Sequence, residues 1–159
     1  MKLTLVHTGK TRPEYLEVGC ADYYNRIKRY VNFREVILKD IKVSAKMNVE
    51  DLKKKEGELL LKIIHPADFV LLFDKNGVNH TSESFSVLLE KLFMTGKDLF
   101  FVTGGAYGFS KAVYERSNYK FSLSSMTFSH QMVRLLVAEQ LYRAFTIING
   151  KPYHHAGIT

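Results

Sequence analysis

The sequence predicts an α/β domain, a mostly parallel sheet with helices on both faces. Three observations carry that expectation. Short strand-like runs alternate with helical stretches of ten or more residues. Two of the runs, Asp68–Phe73 (DFVLLF) and Asp98–Thr103 (DLFFVT), are nearly all apolar without alternation, as in strands covered on both faces. The 159 residues suit one domain spanning 1–159, with no repeat, low-complexity tract or linker.

Each element has a local reason. Lys2–His7 reads as the first strand and Glu14–Arg29 as a helix, with apolar contacts from Leu16, Val18, Cys20, Tyr23, Tyr24 and Ile27. Phe33–Leu38 is a second strand, and Lys39–Met47 is a polar connection. Asn48 can cap a helix from Val49 to about Ile64, with Glu50 and Asp51 in its first turn. Pro66 stops that helix. Strand Asp68–Phe73 is followed by a turn over Asp74–Gly77 (DKNG). Thr81 or Ser82 caps a helix to Thr95 that ends at Gly96. Strand Asp98–Thr103 leads into the glycine-rich loop Gly104–Gly108. Phe109–Ser117 is a short helix, Tyr119–Leu123 a strand, and Ser129–Ile148 the last helix. Ligands of such sheets sit beyond the carboxyl ends of the strands. Here those ends are Phe73–Asp74, Thr103–Gly104 and Leu123–Ser124.

The net charge of +7 favours a polyanionic partner, most simply nucleic acid, although a basic balance is also common without one. No run of about 18 apolar residues suggests a membrane span, and the N-terminus lacks a signal-peptide pattern. The single Cys20 leaves no internal disulfide or zinc cluster, which suits a reducing cytoplasm. Arg26, Lys28, Arg29, Lys39, Lys42, Lys46 and Lys53–Lys55 are candidates for phosphate contact or a solvated face.

The chemistry-bearing residues gather in the last third. Gly104–Gly108 (GGAYG) lacks dinucleotide-fingerprint spacing, and no GxxxxGK[ST] occurs, so the loop reads as a close ligand approach or a tight turn. His130 and Arg134 share one helix face, Arg143 lies on another, and Glu139 and Arg143 are spaced to pair. Val133, Leu136, Val137, Leu141, Ala144 and Ile148 form an apolar stripe, either core or a subunit interface. Tyr153, His154 and His155 follow Pro152 near the end, and adjacent histidines alone make no metal site. His7, His65 and His80 are isolated and read as structural or solvated.

The runs FFVTGGAYGFS, LSSMTFSHQMVRLLVAEQLYRAF and NGKPYHH together resemble the small SPOUT-class methyltransferases that methylate N3 of a pseudouridine in 23S ribosomal RNA. The likeness spans nearly the whole chain, from KLTLVHTGK to the YHH tail. It implies a SPOUT fold with a C-terminal trefoil knot, S-adenosylmethionine as cofactor, no metal, a cytoplasmic homodimer, and 23S rRNA of the large subunit or 70S ribosome as partner. Matched position by position, the cofactor contacts are Phe73, Gly104 and Leu123, Ser124, Ser125, Met126, Thr127 and Phe128. Phe73 stands where relatives often carry Leu, and Ala156–Thr159 extend past the usual end. Arg143, His154 and Tyr153 are the expected catalytic residues, for charge stabilisation, proton acceptance, and base stacking or tail ordering. His130, Arg134 and His155 are expected to meet the substrate. Two other readings stay open at this point: a noncatalytic RNA-binding or ribosome-associated module, and a SPOUT enzyme acting on transfer RNA.

Overall fold

The computed structural model describes residues 1–155. Five strands, β1 (Leu3–Thr8), β2 (Phe33–Leu38), β3 (Phe69–Asn79), β4 (Leu99–Thr103) and β5 (Tyr119–Ser122), form one all-parallel sheet in the order β2-β1-β4-β3-β5. Leu3 pairs with both Phe33 and Leu99, and Leu99 pairs with Phe69, so β4 runs through the middle of the core. Four helices cross between strands, α1 (Glu14–Ile27), α2 (Val49–Leu61), α3 (Ser82–Met94) and α4 (Lys111–Arg116), and α5 (His130–Ile148) follows the last strand.

Two apolar layers sandwich the sheet. On one face Leu5, Leu71, Phe101 and Phe121 pack with α1, α3 and α5 through Tyr24, Ile27, Phe85, Leu89, Leu141 and Phe145. On the other, Val6, Leu72, Phe100 and Val102 pack with α2 and α4 through Leu60 and Val113. Successive residues of a strand point to opposite faces, so the unbroken apolar runs of β3 and β4 feed both layers. Most helices begin where a side chain can take up a free N–H. Asn48 accepts from the Asp51 amide at 2.8 Å, Thr81 from Ser84 at 3.1 Å, and Ser129 from Met132 at 3.2 Å.

The expected turn at Asp74–Gly77 is instead part of β3, which continues to Asn79. Its register on β5 slips there: Phe121 pairs with both Phe73 and Val78, and Asp74–Gly77 bulge out between. Gly77 makes this possible, since a Cβ would lie 2.6 Å from the backbone of Lys120 and Phe121. α2 stops at Leu61, where Lys62 and Ile63 turn tightly, earlier than Ile64. α4 starts at Lys111 because Ser110 caps it.

The apolar stripe of α5 goes mainly to the chain's own core. Val137, Leu141 and Ala144 are buried, and Val133 and Ile148 pack against them.

Candidate active site

The carboxyl ends of β3, β4 and β5 open into a cavity of about 480 Å³, a size that suits a nucleoside-bearing ligand. Phe73 forms part of its wall, its ring edge-on to Phe101 and Phe121. The glycine loop forms a second wall. Gly108 donates its amide to the Gly105 carbonyl at 3.2 Å and takes a positive φ of 78°. A Cβ on Gly104 would lie 3.2 Å from the Phe109 ring, so this glycine also lets the loop close on itself. The third wall is the loop after β5. Ser122 donates to the Ser124 carbonyl at 3.1 Å, and Ser124 Oγ accepts from the Met126 amide at 3.0 Å. Leu123, Ser124, Met126, Thr127 and Phe128 line the cavity, while Ser125 does not. Met126 is 74% exposed at the rim and Tyr107 of the glycine loop 59%.

Three polar residues on this cavity had no assigned role. Asp74, Lys75 and Asn76 project into it because β3 bulges there. Asp74 stood at a strand end, the position that marked the rim, but the DKNG pattern read as a plain turn. Tyr114 of α4 donates its hydroxyl to Asp74 Oδ2, and nothing in its sequence context pointed to that contact. Burial, together with the Asp74 carboxylate, pushes the Tyr114 phenol up to about 12.

A buried network braces the strand ends from behind. His7 Nδ1 lies 2.6 Å from Thr103 Oγ1, next to Gly104, and Nε2 lies 2.8 Å from the Tyr24 hydroxyl. His7 is thus structural, and burial followed by the charge of Arg134 lowers its pKa to about 3.

Arg134 departs from expectation. It is 0% exposed and faces the end of β1, not the substrate side. Nη2 donates to the Thr8 carbonyl at 2.6 Å, and Nη1 to the Gly9 carbonyl at 2.9 Å and Thr11 Oγ1 at 3.1 Å. Its terminal nitrogens are taken up by these two carbonyls and the Thr11 hydroxyl, so in this structure it braces the loop after β1. His130 does line the cavity, with its pKa lowered by burial and by Arg134.

Arg143, Tyr153 and His154 form a separate cluster. Arg143 Nε donates to Glu139 Oε1 at 3.0 Å, the spacing-predicted pair, and its guanidinium lies 4.8 Å over the Tyr153 ring. Burial works against the Arg143 charge, but the Glu139 contact prevails and raises its pKa. Tyr153 donates to Glu139 at 3.2 Å, meets the Tyr23 hydroxyl of α1 at 3.3 Å, and stands edge-on to Tyr142. His154 Nε2 lies 2.7 Å from Glu83 and Nδ1 lies 3.4 Å from Arg143. Glu83 sits in the first turn of α3, and backbone, Thr81 and His154 contacts hold its carboxyl down at about 2. His155 is exposed. Ala156–Thr159 lie outside the described residues. Thirteen residues of helix separate His130 from Arg143, roughly 20 Å at 1.5 Å each. The cavity and this cluster therefore occupy opposite ends of α5. Among the described residues no group of three or more His, Cys, Asp or Glu side chains is placed to hold a metal.

Residues 1–154 match the family described as "Predicted SPOUT methyltransferase". The chain belongs to the SPOUT methyltransferase family. It is 49% identical over 156 residues to "Ribosomal RNA large subunit methyltransferase H" of Christiangramia forsetii, covering 98% of this chain and 99% of that one. A protein of the same name from Parabacteroides distasonis is 47% identical over the same shares. A similar fold is seen in a probable methyltransferase from Bordetella pertussis, with a TM-score of 0.55 at 15% identity over 90% of this chain and 95% of that one. A probable methylase family protein from Haemophilus influenzae gives 0.53 at 13% identity, over 93% of this chain and 66% of that one.

Proposed function

We propose that this chain is an S-adenosylmethionine-dependent methyltransferase acting on N3 of a pseudouridine in 23S rRNA, on the assembled ribosome in the cytoplasm. We further propose that it works as a homodimer. The observation that carries the reading is the three-walled cavity at the ends of β3, β4 and β5 in a chain of this family. The residues present fit the cofactor. Phe73, Phe109 and Val133 offer apolar walls, and Ser122, Ser124, Thr127 and Ser129 offer hydroxyls. The cofactor would supply an electrophilic methyl group carried on a sulfonium. The glycine loop and the Leu123–Phe128 loop would hold it, exclude water, and fix the line of approach, a contribution that can reach several kcal/mol.

The target imide nitrogen must lose its proton as it takes the methyl. Arg143 is the group for negative charge on the flanking carbonyl oxygens. Nε2 donates to Glu83 and Nδ1 faces the donating Arg143 guanidinium, so His154 accepts a proton at Nδ1 only when the Arg143 contact opens. Tyr153 supplies a flat face for a base or holds the tail on α1 and α5. His130, at the cavity wall, and the exposed His155 are the remaining substrate contacts.

The separation along α5 supports the dimer. Arg143 lies roughly 20 Å along the helix from His130 at the cavity wall, and on this reading a complete site takes the cavity of one copy and the Arg143 cluster of another. The C-terminal threading implied by the family likeness belongs to the same proposal. The test is mass mapping of 23S rRNA in cells with and without this protein. One pseudouridine should lose a methyl group when the protein is absent. An unchanged 23S map with a changed tRNA map would replace the rRNA reading by the transfer-RNA one.

A further inference from the structure

Among the described residues, the cavity wall carries one carboxylate, Asp74, and beside it the cation Lys75. Strand geometry alone would send neighbouring side chains to opposite faces. The slip between Phe73 and Val78 lifts this segment out of the ladder and lets both line the cavity. Asp74 is also fixed in place. Oδ2 accepts the Tyr114 hydroxyl, and Oδ1 accepts the Asn76 amide at 2.8 Å. A carboxylate has about four acceptor sites, so roughly two stay open toward the cavity. Lys120, with its ammonium 5.9 Å from the Tyr114 ring centre, does not line the cavity.

An adjacent anion and cation match a zwitterion. We infer that Asp74 anchors the α-ammonium of the methyl donor's amino-acid end, with Lys75 beside it for the carboxylate. The inference rests on the proposal that this cavity holds S-adenosylmethionine. The sulfonium is the other cation of that molecule, and it fits Asp74 less well. It has no N–H to donate, whereas an ammonium offers three hydrogens to the open lone pairs. A carboxylate against the sulfonium would also favour the charged ground state over a transition state in which that charge is being lost, which opposes catalysis. Tyr114 then orients the anchor and does not itself meet the donor.

Calorimetric titration separates these partners without any turnover. The probes are S-adenosylmethionine, S-adenosylhomocysteine, which keeps the amino-acid end and lacks the sulfonium, and methylthioadenosine, which lacks both the sulfonium and the amino-acid end. The wild-type protein should bind all three, and failure to bind the first two would sink the cofactor reading itself. In Asp74→Asn both amino-acid-bearing ligands should weaken at least tenfold, with methylthioadenosine changed less than twofold. Asp74→Glu, which keeps the charge, should recover part of the loss and shows that the fold survives substitution. Equal weakening of all three ligands would assign Asp74 to the ribose or to wall structure and overturn the anchor. A loss confined to S-adenosylmethionine would assign it to the sulfonium and overturn it too, as would no change.

Discussion

Arg134 is the largest fully buried side chain, and its role is settled by what it touches. Its two terminal nitrogens reach the carbonyls of Thr8 and Gly9, while Nε has no partner among the described residues. Arg134→Met should leave those carbonyls unpaired and cost about 2–4 kcal/mol in urea denaturation. A variant of wild-type stability with weakened RNA binding would return Arg134 to the substrate. Arg143, nine residues on, is half-buried beside Glu139 and the tail. Arg143→Ala should lower methyl transfer at least a hundredfold, about 2.7 kcal/mol, with cofactor affinity unchanged by calorimetry. His7 gives a pH signature. Its folded pKa of about 3 lies below the ordinary value of 6.5, so between those values the unfolded chain binds the extra proton. This contribution to stability is present above pH 6.5 and is lost as pH falls toward 3. At pH 5 the loss should be about 2 kcal/mol relative to pH 8. Denaturation of His7→Gln at both pH values, at fixed protein concentration, should show a shallower dependence, and an unchanged slope would place the acid sensitivity elsewhere.

At the scale of elements, the tail is the segment whose role is most open to test. In the isolated chain it rests on α1, α3 and α5 through Tyr23, Glu139 and Glu83. Its described residues, 152–155, belong to neither apolar layer, so deleting Pro152–Thr159 should leave the fold and most cofactor affinity intact while methyl transfer collapses. Full methylation of ribosomes by the truncated protein would remove the tail from the mechanism. Strands and helices were legible because burial repeats with their periods: DFVLLF and DLFFVT are apolar on both faces, and Asn48, Thr81 and Ser129 sit where amides need acceptors. The bulge was not legible, since DKNG carries turn chemistry whether or not the strand resumes, and only the pairing of Phe121 with Phe73 and Val78 decides it. Phe73, Gly104 and the Leu123–Phe128 loop were expected together from motif likeness and line the cavity, Ser125 apart, whereas Asp74, Lys75, Asn76 and Tyr114 were not foreseen there. The burial of Arg134 was not legible, because helical spacing tells which residues share a face and not which face is inward.

For the whole molecule, charge alone does not mark an RNA face. α2 holds Lys53–Lys55 but more acid than base, and Lys53 pairs with Glu50 at 3.1 Å. Arg26 likewise pairs with Asp22 at 2.8 Å. Neither α1 nor α2 therefore presents an unpaired run of cations along its whole length. Sedimentation at micromolar concentration should give about twice 18.3 kDa. A fully active monomer would contradict a shared site. The apolar stripe of α5 does not itself demand a partner, because it is mainly used within the chain. The proposal of a partner rests instead on the roughly 20 Å of helix between His130 at the cavity wall and Arg143. Mixed dimers test that proposal most directly. One chain lacks Pro152–Thr159 and keeps its cavity. The other carries Gly104→Val, which presses a side chain into the Phe109 ring and disables the cavity, and keeps its tail. Each variant alone should be inactive on ribosomes, and the mixed dimer should regain one working site, the cavity of the first chain served by the tail of the second. A mixed dimer that forms, binds S-adenosylmethionine through its intact cavity and transfers no methyl group would contradict a site built from two copies.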